Sequence, residues 1–186
     1  MGMGTISKLL PFQQGGLDSL CGLYSIVNAE RIINGSSADQ AQELFDTMVH
    51  FLSRRRLLTR ILLDGVIHSH MLLVLEKVVN GRIPQIEIPW RSQPTPELDP
   101  FWESMRAFLD GTPGRAIILG LNGFHDHWTV IERISRWSIF LYDSGGIGRL
   151  PRNECTTASE RRMHRLKPAQ SYFVSQTTNR RSGNVV

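Results

Sequence analysis

The first half of the chain has apolar side chains at the three- and four-residue spacing that is typical of amphipathic helices. The Asn34-Gly35 pair ends the first of these segments, because both residues favour the backbone geometry of a helix C-terminus. Ser37 and Gln40 have the spacing of a capping box and predict the start of a second helix. Residues 54–63 are apolar and basic and favour no single structure. The predicted helices are residues 18–33, 37–51 and 65–79 and a fourth that ends at residue 109.

The second half of the chain has short β-branched or aromatic runs separated by turn residues, which is typical of strands. Helices that precede an antiparallel meander predict an α+β fold, in which an N-terminal helical half packs on a C-terminal antiparallel sheet. No linker divides the chain, so we expect a single domain over residues 1–175 and a flexible polar tail over residues 176–186. The predicted strands are residues 85–88, 115–121, 128–134, 138–142 and 171–174.

The composition is that of a globular domain. Of the 186 residues, 41% are hydrophobic and 20% are charged, which excludes a disordered chain and a fibrous repeat. No run approaches the roughly 18 apolar residues that a membrane span needs, so a membrane is not an expected partner. Residues 1–10 lack the pattern of a signal peptide, and two cysteines are too few for a disulfide framework. We expect a cytoplasmic protein, or one delivered into another cell's cytosol.

Charge is uneven along the chain. Residues 1–132 have a net charge of −3 and residues 133–186 a net charge of +7. The basic C-terminal third is either a solvated face, which is the interpretation we favour, or a surface that attracts an acidic partner. Nucleic acid is not the expected partner, because the chain lacks interleaved aromatic residues, zinc-finger spacing and a recognition-helix pattern.

Cys21 is a candidate nucleophile at the start of the first predicted helix, after a loop that contains two glycines. The unpaired N–H groups of a helix start and the positive end of its dipole favour a thiolate, which is the form that attacks a carbonyl. The same N–H groups can hold the resulting oxyanion. The alternative is that Cys21 is a small buried apolar residue, as free cysteines often are.

Two histidines, His125 and His127, lie where a loop ends and a predicted strand begins. A histidine at the first residue of a strand has a fixed backbone and can reach a nucleophile on another layer of the fold. We favour His127, because it directly adjoins the strand and because Trp128 can form a wall of the pocket beside it.

Asp143 directly follows the strand predicted over residues 138–142. Residues 135–137 are a loop short enough for a hairpin between this strand and the preceding one. Pairing of the two strands brings Asp143 next to His127, where a carboxylate can hold the imidazole in one tautomer and support its charged form.

The chain has a cysteine on a predicted helix, then a histidine on a predicted strand, then an aspartate across a hairpin. The functional residues of the papain-like cysteine peptidase superfamily have the same order, and this chain resembles that superfamily. Its small bacterial members of the bacteriocin-processing type are similar in three blocks: a glutamine upstream of Cys21-Gly22, then His127-Trp128 with Val130, then Tyr142-Asp143-Ser144. The Ser19-Leu20-Cys21 run, with Asn28 further along the helix, also resembles Josephin-type deubiquitinases. Residues 38–109 have no counterpart in this resemblance.

The resemblance implies a papain-like fold with Cys21 as nucleophile, His127 as general base and acid, and Asp143 as orienting carboxylate. It also implies a glutamine as the second oxyanion donor, and Gln14 is the position for it. Gln14 lies seven residues before Cys21 and Gln13 lies eight before it, whereas papain-like enzymes usually have five or six. The assignment between Gln14 and Gln13 therefore stays open. No cofactor is implied.

The expected function is that of a thiol hydrolase, a cysteine peptidase or isopeptidase that cleaves an amide bond of a protein or peptide through an acyl-enzyme. A ubiquitin-like tail is one candidate substrate. The same triad would serve a glutamine deamidase or an acyl transferase, and a papain-like module that binds protein without turnover is a further alternative.

We expect no metal site, because His68 and His70 are two apart on a predicted helix and point to different sides. Cys155, in a polar stretch, is predicted to be exposed or half-exposed and without a role.

Overall fold

The computed structural model describes residues 10–124, 126–159 and 162–176, and within these ranges it has five α-helices and one seven-stranded sheet. The predicted mixture of helix and antiparallel sheet is confirmed, and the fold is α+β. The helices are α1 (Cys21–Asn34), α2 (Ala38–Arg54), α3 (Leu58–Asp64), α4 (His68–Val74) and α5 (Leu98–Leu109), with a π-helical turn over Leu75–Val79 and a 3-10 turn over Arg152–Glu154. The strands are β1 (Gln85–Glu87), β2 (Arg115–Gly123), β3 (His127–Ile134), β4 (Ser138–Leu141), β5 (Arg149–Pro151), β6 (Cys155–Thr156) and β7 (His164–Ser175).

The helix ends follow local chemistry. Gly35 has a left-handed backbone, with φ of 68°, and ends α1 at the predicted place. Ser37 and Gln40 form the predicted capping box at the start of α2. The first helix begins at Cys21 rather than at Asp18, because the Asp18 carboxylate accepts the N–H of Leu20 at 3.0 Å and holds that stretch in a turn. No helix in the described ranges is long and apolar enough to cross a membrane.

The predicted third helix, residues 65–79, begins three residues later in the structure, at His68, and ends in the π-helical turn. Residues 58–64, which the sequence pattern left without an assignment, form α3. Gly65, with φ of 86°, then breaks the helical path, and α4 starts only at His68. The extended segment between them, residues 65–67, becomes one wall of the pocket described below.

The sheet has the order β1-β7-β2-β3-β4-β5, and β6 pairs with β7 in parallel. Strands β2, β3 and β4 form a meander as predicted, and β5, which was not predicted, extends it beyond β4 after the loop of residues 142–148. The last strand, β7, lies between β1 and β2 and pairs with both in antiparallel fashion. The predicted tail, residues 176–186, lies outside the described residues from residue 177 onward.

Each face of the sheet has its own apolar core. Alternate residues of β2 point to opposite faces, so that Ala116 and Ile118 contact the cluster formed with α1 to α4, whereas Ile117 and Leu119 contact the cluster formed with α5. The expectation of a helical half on one side of the sheet was therefore incomplete. Helix α5 buries its own apolar residues against the opposite face, and three of them are fully buried: Phe101, Trp102 and Met105.

Candidate active site

Cys21 is the first residue of α1, and its side chain is buried at the edge of the first core. Its backbone N–H is among the first four of the helix, which have no acceptor within the helix. Gly22 lets Val66 and Met71 pack close to the start of α1. A Cβ atom at residue 22 would come within 2.8 Å of the Cβ of Val66 and 2.9 Å of the sulfur of Met71. The Cys-Gly pair thus combines a nucleophile with a close packing contact.

His127 and Asp143 contact each other at the ends of the paired strands β3 and β4. The Nε2 atom of His127 lies 2.8 Å from the Oδ1 atom of Asp143. The other oxygen of Asp143 accepts the backbone N–H groups of Gly145 at 2.8 Å and of Ile147 at 3.0 Å. The Asp143 side chain is only 1% exposed, so these bonds satisfy a buried carboxylate. The hairpin register therefore brings together the two residues that the sequence pairs.

Cys21 adjoins this pair, because it lines the same pocket as His127 and interacts with the ring in a way that raises the pKa of His127. Since Nε2 faces the carboxylate, Nδ1 is the ring nitrogen that remains for the sulfur. His125, the alternative histidine, lies outside the described residues. The structure thus joins Cys21, His127 and Asp143 from three different elements, α1, β3 and the turn after β4.

The environment favours a charged His127. Burial opposes the charge, but the hydrogen bonds to Asp143 and Cys21, together with the negative charges of these groups, outweigh burial and raise the pKa of His127 to about 9. For Asp143, burial acts to raise the pKa, yet its hydrogen bond and ion pair with His127 hold the pKa below its ordinary value. At neutral pH the pair is therefore an imidazolium and a carboxylate, and an imidazolium beside a cysteine stabilises the thiolate.

Residues 12–14 form a strap that connects α1 to the turn containing Asp143. The backbone N–H of Gln14 donates to the carbonyl of Ser144 at 2.9 Å, and the side-chain amide of Gln13 donates to the carbonyl of Asp143 at 3.1 Å. The Gln14 side chain lines the same pocket as Cys21 and donates to the Asp18 carbonyl at 2.5 Å. An amide nitrogen has a second N–H, which remains for a ligand. The structure therefore places Gln14 at the pocket, whereas Gln13 binds the turn.

Asn28 is a positioning residue whose role the sequence did not reveal. Its side chain accepts the N–H of Phe12 at 2.8 Å and donates to the carbonyl of the same residue at 3.1 Å. Asn28 is fully buried and lies two helical turns after Cys21, so it fixes the strap that includes Gln14 to the helix of the nucleophile. A polar residue on an otherwise apolar helix face was the available signal.

Cys21 and His127 lie at a pocket of about 430 Å³. The segment of residues 64–68 forms one wall, and residues of β2, β3 and β7 form the other. Trp128 joins the two walls, as its indole N–H donates to the carbonyl of Val66 at 2.5 Å and its ring lies 5.9 Å from that of Tyr172. The Tyr172 hydroxyl is in turn 2.9 Å from Nδ1 of His68. Trp128 is therefore the pocket wall that the sequence predicted.

Cys155 is buried, and the prediction of an exposed cysteine was wrong. Its side chain is 1% exposed, its sulfur lies 3.2 Å from the carbonyl of Pro151, and burial raises its pKa to about 12. The polar sequence around it is misleading because β6 pairs with β7 and directs Cys155 into the core under α5.

Among the described residues, no group of three or more histidine, cysteine, aspartate or glutamate side chains could hold a metal ion.

Comparison of the chain with protein-family models, with curated proteins and with solved structures finds no match. The assignment of a function therefore depends on the geometry and chemistry of the site itself.

Proposed function

We propose that the protein is a thiol hydrolase of the papain-like type, a cysteine peptidase or isopeptidase that cleaves an amide bond of a protein or peptide. The observation that supports this most directly is that His127 bonds to Asp143 and adjoins Cys21 beside an open pocket. A nucleophile, a base within hydrogen-bond reach and a third group that orients the base are the parts that covalent acyl transfer requires.

Acylation would proceed from the thiolate–imidazolium pair. The Cys21 sulfur attacks the carbonyl carbon of the substrate, and the carbonyl oxygen becomes an oxyanion. The backbone N–H of Cys21 and the second amide N–H of Gln14 are the donors available for this charge. The tetrahedral intermediate collapses when the imidazolium of His127 donates its proton to the leaving amine, which leaves a thioester on Cys21 and a neutral imidazole.

Deacylation would use the same imidazole as a base. His127 takes a proton from a water molecule, and the resulting hydroxide attacks the thioester carbonyl. Collapse of the second intermediate releases the carboxylic acid and restores the thiolate and the imidazolium. The short bond from Asp143 keeps the ring oriented in both steps and supports its charge when it is protonated.

Alkylation of Cys21 tests the proposal without knowledge of the substrate. At pH 6, iodoacetamide should modify Cys21 at least about tenfold faster than it modifies glutathione, because the ion pair keeps a thiolate present where a free thiol is protonated. Peptide mass spectrometry locates the modified cysteine. Free glutathione is the appropriate reference, since Cys155 is buried and would react slowly for that reason alone.

The variant His127→Ala provides the matched control. It should slow the alkylation of Cys21 to the rate of the free thiol, because the cation beside the sulfur is lost. If wild-type Cys21 already reacts no faster than glutathione at pH 6, the proposed nucleophile is not activated, and a binding module without turnover becomes the better interpretation.

A further inference from the structure

The pocket beside Cys21 is acidic although the chain as a whole is basic. Three aspartates line it, Asp18, Asp64 and Asp126, whereas Lys167 is the one lysine or arginine among its lining residues in the described ranges. His68 does not offset this charge, because burial, followed by the charge of Arg91, lowers its pKa and keeps it neutral. The protein as a whole has a net charge of +4. The negative charge is thus a local property of the pocket.

The catalytic row of Cys21, His127 and Asp143 adds to this negative charge. In the thiolate–imidazolium form that the proposed reaction requires, two negative groups adjoin a single imidazolium, so that form of the row has a net charge of −1. Together with the three aspartates and Lys167, it leaves the pocket with three more negative charges than positive ones. Arg60 lies 3.6 Å from Asp64, but both side chains are largely exposed, and an exposed pair of this kind is weak.

Two of the aspartates come from different elements of the pocket lining. Asp64 belongs to the wall formed by residues 64–68, and Asp126 directly precedes β3 on the other wall. Both are exposed, so their carboxylates face solvent and not the protein core. Asp18 differs from them, because its carboxylate also accepts the N–H of Leu20 and shapes the approach to α1. A ligand in the pocket is therefore near carboxylates that two different elements supply.

Apolar side chains next to the lining residues provide an independent observation. Ile67, which itself lines the pocket, is 50% exposed, and Leu63 and Leu17, each the chain neighbour of a lining aspartate, are 77% and fully exposed. Large exposed apolar side chains beside a pocket favour a surface that another protein covers. A small charged metabolite would leave them in water.

Building on the proposed hydrolase function, we infer that the substrate is a protein that presents an extended segment with lysine or arginine next to the scissile amide. Asp64 and Asp126 are specificity-determining residues that bind these cationic side chains, and the apolar rim contacts the body of the same substrate. An acidic partner, the alternative interpretation of the basic C-terminal third, is thus not the partner of this pocket.

Charged thiol reagents measure the field at Cys21 without any substrate. The probes are the trimethylammonium-ethyl and the sulfonato-ethyl methanethiosulfonates, one cationic and one anionic. In both reactions the thiolate displaces methanesulfinate and forms a mixed disulfide, so only the charge of the reagent differs. The cationic reagent should react with Cys21 at least about tenfold faster at low ionic strength, and the ratio should fall as salt is added.

Three variants assign the effect to the pocket. Asp64→Asn and Asp126→Asn should each lower the ratio of the two rates about two- to fivefold, whereas Asp110→Asn, an exposed aspartate outside the pocket, should leave it unchanged. A cysteine at the exposed turn residue 137, in the double variant Cys21→Ser, Trp137→Cys, should show no preference for the cationic reagent. A ratio near one at Cys21, or a ratio that neither aspartate variant changes, overturns the inference.

Peptide probes then test the substrate class. Two peptidyl vinyl sulfones that differ only in arginine or glutamate beside the reactive group should modify wild-type Cys21 at rates that differ at least about tenfold, with arginine faster. Asp126→Asn should reduce this difference. If iodoacetamide shows an activated Cys21 while the two peptides react equally, the hydrolase proposal stands and the substrate inference fails. If Cys21 is not activated, the hydrolase proposal fails regardless of any charge preference.

Discussion

The side chain of Asn28 binds both backbone polar groups of Phe12, at 2.8 Å and 3.1 Å, although sixteen residues separate the two. Because Asn28 is on the same helix as Cys21 and Phe12 is two residues before Gln14, this pair of bonds fixes the distance between the nucleophile and its predicted oxyanion donor. The polar contact in the core therefore has a geometric consequence at the pocket.

Replacement of Asn28 by alanine should destabilise the fold by about 2–4 kcal/mol, since two buried backbone groups of Phe12 would lose their partner. Urea denaturation measures this loss. Asn153→Ala, at an exposed position, is the matched control and should change the free energy of unfolding by less than about 0.5 kcal/mol. Equal effects of the two substitutions would show that the strap is not fixed by Asn28.

The pKa of His127 should depend on its two partners, Asp143 and Cys21. NMR titration of the His127 ring should give a pKa near 9 in the wild type. In Asp143→Asn the pKa should fall, because the variant lacks the negative charge that favours the imidazolium, and in Cys21→Ser it should fall for the same reason. An unchanged value in Asp143→Asn would mean that the carboxylate does not support the ring in solution.

The same raised pKa predicts how hydrolysis depends on pH. The proton that leaves with the amine is present on His127 below its folded pKa, so kcat/KM should decline as pH rises through about 9. Asp143→Asn should move this decline to lower pH. The linked contribution to stability has the same sign: it is complete below the unfolded value of 6.5 and is lost as pH rises through 9. A decline that stays in place in Asp143→Asn would assign it to another group.

Gly22→Ala should damage the pocket wall. The added Cβ would lie 2.8 Å from Val66, so the segment of residues 65–67 must shift, at a cost of about 1–3 kcal/mol in stability and with slower hydrolysis. Gly16→Ala is the control, because no heavy atom lies within 4 Å of a Cβ built there. Similar melting temperatures for the two variants would contradict the close contact.

The number of reactive thiols tests directly whether Cys155 is buried. Ellman's reagent should titrate one thiol in the native protein and two in guanidinium chloride, because Cys155 is 1% exposed and its pKa is raised to about 12 by burial. The single variants Cys21→Ser and Cys155→Ser identify the reactive thiol. Two fast-reacting thiols in the native protein would disagree with the packing of β6.

The sequence was sufficient to predict contacts between residues that are close along the chain or that face each other across a hairpin. The three-residue turn fixes the pairing of β3 with β4, and this pairing alone places Asp143 beside His127. The first helix starts at Cys21, three residues later than predicted, and this shift also has a local cause, the bond from the Leu20 N–H to the Asp18 carboxylate. In these cases the relevant geometry depends on few backbone angles, so the residue pattern determines it.

Contacts between distant segments were not predictable in the same way. The placement of α5 on the opposite face, the burial of Cys155 and the approach of Val66 to Gly22 depend on how whole elements pack. Amphipathic helices have one apolar face, but the pattern does not say which face of a sheet that side will cover. A polar stretch around Cys155 likewise gives no sign that a two-residue strand directs the thiol inward.

The position of β7 between β1 and β2 has a consequence for biosynthesis. Residues 164–175 are translated after the nucleophile, the base and the carboxylate, yet they supply hydrogen bonds to both neighbouring strands as well as Lys167 and Gln170 of the pocket. A nascent chain that ends before residue 164 would leave β1 unpaired and one side of β2 exposed to chaperones. Any activity that depends on this pocket should therefore appear only after residues 164–175 have been translated and have paired with β1 and β2.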